Sequence, residues 1–193
     1  MKLLQSAHKS GHITETALVR VKNDIMTSID QGMAVILVPL HLSAAFDTVD
    51  HNVLLFRLKY MFGLSGKVLA SFQSYLEQRS QRVSVHSILS DVQFVLSGVP
   101  RGSVLGPLVF TMCIHPLGIF GQQRYGIKYH LYAGDTQLYV SLDPDNELNF
   151  SSSLKKLEHC LADILLWMTQ NLLQLNDNKT NIIYLATPHC VNP

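Results

Sequence analysis

The segment HLYAGDTQLYV, residues 130–140, predicts a β-hairpin with Gly134 and Asp135 at its tip. Residues that favour strands flank the pair on both sides, and glycine supplies the positive φ that a two-residue turn requires. The hairpin raises a chemical question, because the lone carboxylate of Asp135 lies at the tip of an apolar ribbon. Two carboxylates there would indicate a metal site, and none would indicate plain scaffold. Asp135 is therefore the first candidate functional residue.

The composition fits one compact domain with a large core. Of the 193 residues, 47% are hydrophobic and 15% are charged, which argues against a disordered protein. The formal net charge of +1 is low for a strongly basic nucleic-acid binder, so any site for a polyanion must be local. The three cysteines include no Cys-x-x-Cys pair, and the N-terminus does not resemble a secretory signal. These features predict an intracellular, non-secreted protein with reduced thiols.

An uncharged stretch, residues 102–123, has about the length that spans a bilayer. Pro107, Pro116 and four glycines interrupt it, and no cationic flank frames it. The stretch is therefore predicted to be a buried helix with a glycine-rich entry, and no membrane association is expected.

The other segments predict an α+β fold. Apolar residues recur every four positions in residues 13–30, which predicts a helix, and GMAVILVPL, residues 32–40, predicts a buried strand. Pro39 is unfavourable in a central strand because it lacks a backbone donor. Asp47 is the expected N-cap of the next helix. The predicted order is helix, strand, two helices, hairpin, helix, hairpin (residues 127–142), helix (about 153–170) and strand, which indicates an antiparallel sheet covered on one face by helices.

Two further motifs each allow two interpretations. SGVPRGSVLGPL, residues 97–108, leaves a backbone free of side chains just before a helix, which suits either close approach to a phosphate or a tight turn without a ligand. HLSAAFDTVDH, residues 41–51, follows the buried strand. Its Asp47, Asp50 and His51 suit metal ligands, but the two aspartates also occupy positions typical of helix-capping acids.

Taken together and in order, these motifs resemble the reverse transcriptase of non-LTR (LINE-type) retrotransposons. The resemblance extends from about Ser6 to Leu185. Its blocks are GHITETALVRVKNDI (11–25), LSAAFDTVDHNVLLFRL (42–58), SGVPRGSVLGPLVFT (97–111), HLYAGDTQLYVSL (130–142) and WMTQNLLQLNDNKTNIIYL (167–185).

The resemblance implies a right-hand polymerase palm with part of the fingers and no thumb. Residues 1–193 would form a single partial domain, with a fingers-side helix over about 6–32 and the palm over 33–187. Members of this family synthesise DNA on an RNA template from a primer. Two Mg²⁺ ions, held by a carboxylate after the first palm strand and by an Asp-Asp pair in a hairpin, activate the primer hydroxyl and neutralise the triphosphate.

The chain departs from the family at the metal site. The first metal carboxylate aligns with His41, and the Asp-Asp pair aligns with Gly134 and Asp135. Asp135 is thus the retained metal ligand, while His41 and Gly134 mark the positions of lost carboxylates. Imidazole is a poor Mg²⁺ ligand, although Mn²⁺ and Zn²⁺ accept it. Asp47 lies beyond the end of the strand and does not replace the lost carboxylate.

Other positions match the family's binding residues. Phe46 aligns with the residue that gates the sugar 2′ position, and Tyr132 aligns with the tyrosine of the hairpin motif. Arg101 and Gly102 lie in the loop that faces template and nucleotide, where arginine replaces the usual glutamine and removes an amide acceptor. Lys179 aligns with a lysine near the nucleotide phosphates, although a solvated turn lysine explains it equally well.

The resulting expectation is a reverse transcriptase-like palm that is catalytically inactive. Mg²⁺, RNA template and DNA primer are expected for the parent family, with weak or absent binding here. The alternative is a non-catalytic module that binds nucleic acid or protein, with Arg79, Arg82, Arg101 and Lys179 as candidate phosphate contacts. An active polymerase that uses Asp135 alone is the disfavoured third possibility.

Overall fold

The computed structural model describes residues 14–100, 102–132 and 135–187. The chain divides into two compact units, each of which is described by itself. The sheet unit comprises Met1–Ser43 and Ile114–Pro193, and the hairpin unit comprises Ala44–Cys113.

Helices and antiparallel strands alternate along the described chain, which confirms the predicted α+β class. The helices are α1 (Thr14–Asp30), α2 (His51–Tyr60), α3 (Gly66–Leu76), α4 (Gly106–Ile119) and α5 (Glu147–Gln170). A π-helical turn spans Phe120–Arg124, and a 3₁₀ turn spans Asp177–Lys179. The strands are β1 (Ala34–Leu40), β2 (Leu42–Ser43), β3 (Ser80–Gln81), β4 (Ser84–Val85), β5 (Ile88–Leu89), β6 (Gln93–Phe94), β7 (Lys128–Tyr132), β8 (Asp135–Leu142), β9 (Gln174–Leu175) and β10 (Ile183–Leu185).

The sheet unit is built on four antiparallel strands in the order β10-β1-β8-β7. β1 pairs with β8 along its whole length, from Ala34 opposite Leu142 to Leu40 opposite Thr136. β10 pairs only with the first part of β1, up to Leu37. Pro39 therefore lies in a strand that is central only over its first half, which explains how the sheet accommodates a residue without a backbone donor.

One face of the sheet is covered by α1. Val21 and Ile25 pack with Val35 of β1 and Tyr139 of β8 in an apolar cluster. The Tyr139 hydroxyl donates to Asp24 on α1 at 2.7 Å. Burial, followed by this hydrogen bond, raises the pKa of Tyr139 far above its ordinary value, so the tyrosine remains a donor.

Helical segments also pack on the opposite face, which differs from the predicted one-sided cover. Leu138 of β8 pairs with Tyr129 of β7, so both side chains lie on the face away from α1. The Tyr129 ring fills the space beside Gly118 of α4. A two-sided core lets the residues of β1 on both faces be buried, as its continuous apolar run requires.

Two helices begin elsewhere than predicted. α2 starts at His51, because Asp50 and not Asp47 accepts a hydrogen bond from the Val53 backbone at 2.8 Å. α5 starts at Glu147, well before the predicted residue 153, because Asn146 caps it. In both helices a polar residue other than the predicted one binds the free N–H groups of the first turn. Asp50 follows the predicted cap of α2, and Asn146 precedes the predicted start of α5.

The described cysteines that the structure leaves free, Cys113 and Cys160, are buried. Burial raises the pKa of both thiols, that of Cys160 to about 11. The buried Arg57 guanidinium donates to Cys113 Sγ at 3.2 Å and partly offsets the rise in the pKa of Cys113. Both thiols are therefore protonated at neutral pH and poorly reactive.

In the hairpin unit, strands β3 to β6 form the predicted hairpin as two nested antiparallel pairs, β3 with β6 and β4 with β5. His86 and Ser87 turn the chain with positive φ values of 49° and 68°. The ribbon joins a loop whose backbone is bonded to the segment before α2. Val99 N–H donates to the Phe46 carbonyl at 2.7 Å, and Gly98 N–H donates to Val49 at 2.7 Å.

Gly118 makes the packing against Tyr129 possible. We expect Gly118→Ala to lower the free energy of unfolding by about 1–3 kcal/mol, because the added Cβ would overlap the Tyr129 ring. Gly121→Ala is the matched control, since its Cβ would meet Leu138 at an ordinary 3.6 Å. Urea denaturation followed by circular dichroism measures both, and equal losses in the two variants would contradict this packing.

Gly98 is required for a different reason, the close approach of two backbones. Gly98 and Gly102 both have positive φ, 87° and 77°, so alanine strains both positions. Only at Gly98 would a Cβ lie 2.9 Å from the Asp47 backbone; at Gly102 nothing lies within 4 Å. We expect Gly98→Ala to cost about 1–3 kcal/mol more than Gly102→Ala in the same denaturation assay. A similar cost for both would show that strain alone matters.

Candidate active site

The end of β1 and the start of β8 bring together two of the residues that are predicted to mark metal-carboxylate positions. His41 directly follows β1, and Asp135 is the first residue of β8. Because Leu40 pairs with Thr136 in an antiparallel ladder, His41, which follows Leu40, lies beside Asp135, which precedes Thr136. His41 Nδ1 lies 2.8 Å from Asp135 Oδ1, with side chains 35% and 54% exposed. Asp135, the predicted retained metal ligand, is thus in contact with His41, the predicted position of a lost carboxylate.

The donor set does not fit the two Mg²⁺ ions that the family implies. Gly134, the other substituted position, lies outside the described residues. Across residues 14–100, 102–132 and 135–187, no group of three or more His, Cys, Asp or Glu side chains is arranged to hold a metal. Mg²⁺ requires oxygen ligands in near-octahedral geometry, whereas this site offers one carboxylate and an imidazole bonded to it.

Lys179 is carried close to His41 by a short strand pair. β9 pairs with β2, and the Asn176 N–H donates to the His41 carbonyl at 2.8 Å. Lys179 ends the 3₁₀ turn that follows, and its side chain is exposed. Lys179 thus follows by three residues Asn176, whose backbone is bonded to that of His41. The role of Lys179 near the nucleotide phosphates stays a prediction.

Tyr132 ends β7, and its backbone pairs with Asp135 across the hairpin. This pairing confirms the hairpin and sets the Tyr132 backbone opposite that of Asp135. Arg101 lies outside the described residues, and the nucleotide- or template-binding role of both residues stays a prediction.

Phe46 and Gly102 lie in the hairpin unit. The Phe46 ring is half-buried and packs on Phe110 of α4, with ring centroids 4.9 Å apart and planes tilted by 34°. Gly102 is exposed in a turn. The position and orientation of Phe46 are thus set by α4, and its predicted role at the sugar 2′ position is not tested by this packing.

His51 and Ser103 have structural roles that the sequence did not reveal. His51 Nε2 is 2.7 Å from the Gly98 carbonyl, so the histidine ties the glycine loop to α2 and does not point to a metal site. Ser103 Oγ accepts from Gly106 N–H at 3.0 Å and caps α4, and Tyr75 Oη lies 2.6 Å from it. No signal links Tyr75 to Ser103 in the sequence, because 28 residues separate them.

A groove of about 710 Å³ runs beside this loop within the hairpin unit. Its lining includes the guanidinium-bearing Arg79, the amide of Gln81, and Phe94, which is 72% exposed. Residues 95–100, Ser80 and the acidic Asp47 complete the lining. A cation, an amide and an exposed ring form a surface of the kind that binds single-stranded nucleic acid.

No helix within the described residues is long and apolar enough to cross a membrane. The uncharged stretch forms α4 and the π-helical turn, as predicted for a buried helix.

Comparison with known proteins places these features in one family. The family profile described as reverse transcriptase (RNA-dependent DNA polymerase) matches residues 2–191. The chain is 35% identical over 113 residues to the probable RNA-directed DNA polymerase from transposon X-element of Drosophila melanogaster, covering 58% of this chain and 12% of that protein. It is 27% identical over 181 residues to the polymerase from transposon BS of the same species, covering 91% of this chain and 19% of the relative.

Solved structures agree at the level of the fold. The apo telomerase of Candida tropicalis superposes with a TM-score of 0.67 at 11% identity, covering 93% of this chain and 33% of that chain. The same telomerase in complex with a TWJ fragment of telomeric RNA gives a TM-score of 0.65 at 12% identity. That match covers 93% of this chain and 30% of the telomerase chain. The chain spans under a fifth of the length of the two transposon relatives, so it corresponds to one part of such polymerases. The match over nearly its whole length shows that the chain belongs to the reverse transcriptase family.

Proposed function

We propose that this chain is a reverse transcriptase palm that does not catalyse nucleotide transfer. The observation that carries the proposal is the 2.8 Å contact between His41 Nδ1 and Asp135 Oδ1. One of the carboxylates expected at the site is replaced by an imidazole, and the remaining one is used to bind it. Gly134, at the third position, has no side chain with which to coordinate an ion.

The physical basis of the proposal is the negative charge that develops during nucleotide transfer. Transfer to a primer hydroxyl requires the nucleophile to lose its proton and the leaving pyrophosphate to gain negative charge, and paired metal ions support both changes. An imidazole supplies no negative charge to hold such ions, and the contact between His41 and Asp135 reduces the availability of the carboxylate. The proposal therefore rests on the ligands and not on the backbone, which keeps the family's form.

The remaining assignments follow the family and belong to the same proposal. We place the fingers-side helix at residues 6–32 and the palm at 33–187, with an RNA template, a DNA primer and Mg²⁺ as the parental partners. Phe46, Arg101, Gly102 and Tyr132 would face the nucleotide or template, and Lys179 the phosphates. The relatives are named RNA-directed DNA polymerases, which supports this parentage.

A second candidate function is binding of single-stranded nucleic acid without catalysis. The groove beside Arg79 favours it, because it combines a guanidinium, an amide and the exposed ring of Phe94. The Arg79 guanidinium lies 5.4 Å from the Tyr75 ring and donates to the Tyr75 carbonyl at 3.2 Å. These contacts hold the Arg79 guanidinium at the groove, where it can bind a phosphate.

Primer extension tests the loss of catalysis. On a poly-rA template with a DNA primer, we expect the chain to extend at least about 100-fold more slowly than the double variant H41D/G134D, since removing one electrostatic catalytic group costs about 10²–10³ in rate. The assay is run with Mg²⁺ and with Mn²⁺, so that metal choice does not limit the result.

The control for this assay separates ligands from fold. Asp135→Asn added to the double variant is expected to abolish the regained extension, while Asp91→Asn, an exposed carboxylate of the hairpin unit, leaves it unchanged. Extension by the unmodified chain at the rate of the double variant would end the proposal. Far-UV circular dichroism verifies that all variants are folded.

The second candidate predicts a salt-dependent affinity carried by Arg79. In filter-binding titrations with single-stranded RNA, Arg79→Gln should weaken binding and reduce the slope of log affinity against log salt by about 1, the effect of one lost phosphate contact. Lys155→Gln, on the exposed side of α5, is the matched control for loss of one charge. No measurable RNA affinity, or equal slopes in both variants, would remove this function.

A further inference from the structure

We propose that the outer face of α2 is a contact for single-stranded RNA, apart from the groove beside Arg79. The contact consists of Phe56, Lys59 and Tyr60, which together we call the aromatic platform. It binds an unpaired base by stacking and the adjoining phosphate by charge. The inference goes beyond the proposed function, because neither the end of the sheet nor the groove takes part in it.

Helical spacing explains why the platform faces solvent. The residues that α2 buries lie on one side of the helix and are Leu54, Arg57 and Leu58. With about 3.6 residues per turn, Phe56, Lys59 and Tyr60 lie on the opposite side. The Phe56 and Tyr60 side chains are 61% and 64% exposed. Two neighbouring aromatic side chains in solvent are a feature of binding surfaces, where aromatic residues are enriched.

The two rings are held in place before a ligand arrives. Phe56 and Tyr60 are four residues apart, and their ring centroids lie 4.6 Å from each other with planes tilted by 43°. The Lys59 Nζ lies 5.0 Å from the centroid of the Tyr60 ring. Each side chain is restricted by its neighbour, so binding of a base costs less conformational entropy than binding to free rings.

The charge around the platform selects an anionic ligand. Residues 51–76, which include α2 and α3, contain Arg57, Lys59 and Lys67 but no aspartate or glutamate. Lys59 and Lys67 are exposed. The formal net charge of the whole chain is only +1, so this segment is locally more positive than the rest. Exposed rings beside ammonium groups are the combination that binds single-stranded nucleic acid, whereas a purely apolar partner gains nothing from the charges.

The platform is distinct from the groove beside Arg79. The groove is lined by residues 47, 79–81 and 94–100, none of which belongs to α2. Its lining also includes the carboxylate of Asp47, which repels phosphate, whereas the platform includes no acidic side chain. Variants of the two surfaces therefore report on separate contacts.

Filter-binding titration of the full chain with poly-rU, a single strand whose bases are free to stack, tests the inference. Phe56→Ala and Tyr60→Ala should each weaken binding by about tenfold, because loss of one stacked base costs roughly 5- to 150-fold in affinity. Tyr60→Phe keeps the ring and should keep the affinity. Tyr184→Ala, which removes a tyrosine that is 46% exposed on β10, is the matched control and should bind normally.

The salt dependence separates stacking from charge. Lys59→Gln should reduce the slope of log affinity against log salt by about 0.7, the effect of one lost phosphate contact on a single strand. Phe56→Ala should lower the affinity without changing this slope, since a ring releases no counterions. A merely structural role of these residues would not produce such a division. Lys155→Gln is the control for loss of an exposed charge elsewhere.

Unchanged affinity in both ring variants would overturn the platform, and so would equal losses in Tyr60→Phe and Tyr60→Ala. Should Phe56→Ala lose its far-UV spectrum, the two Tyr60 variants carry the test. Weakening by Arg79→Gln alone overturns the platform and keeps the groove, whereas weakening by the ring variants alone does the reverse. No measurable RNA affinity overturns both contacts and leaves the loss of catalysis to the primer-extension assay.

Discussion

The antiparallel pairing of β1 with β8 is the constraint on which the sheet unit depends. It runs the full length of β1 and sets Leu40 opposite Thr136, which brings His41 and Asp135 side by side at one end of the sheet. The same pairing buries apolar side chains on both faces, so α1 packs on one side and the end of α4 on the other. A shift of one residue in this register would turn every buried side chain to the wrong face.

Backbone hydrogen bonds, strand pairing and apolar packing stabilise each of the two units. In the hairpin unit, backbone bonds from Gly98 and Val99 join the glycine loop to the segment before α2. In the sheet unit, strand pairing and apolar packing hold the strands and α1 together. The reverse transcriptase fold is therefore held by strand pairing and apolar packing, whereas the His41 side chain lies partly exposed after the end of β1. The proposed loss of catalysis concerns the side chains at the end of the sheet and not this packing.

Local patterns predicted the elements well and their ends poorly. The four-residue apolar spacing gave α1, and the hairpin at 127–142 agrees with β7 and β8. Asp47 was wrong as an N-cap because Asp50 makes the hydrogen bond, and α5 begins at Glu147 because Asn146 caps it. Helix ends depend on which of several nearby polar side chains reaches the free N–H groups, and periodicity does not decide that.

By itself, the sequence determined the family and the α+β class, because these depend on residue identity and on order along the chain. It also predicted the positions at which metal carboxylates are missing. Only the tertiary structure decided that His41 bonds to Asp135, that His51 anchors Gly98, and that Tyr75 meets Ser103. Each of these contacts joins residues that are distant in sequence, between 28 and 94 positions apart. No local pattern encodes such pairs, since strand register and helix packing alone bring the side chains together.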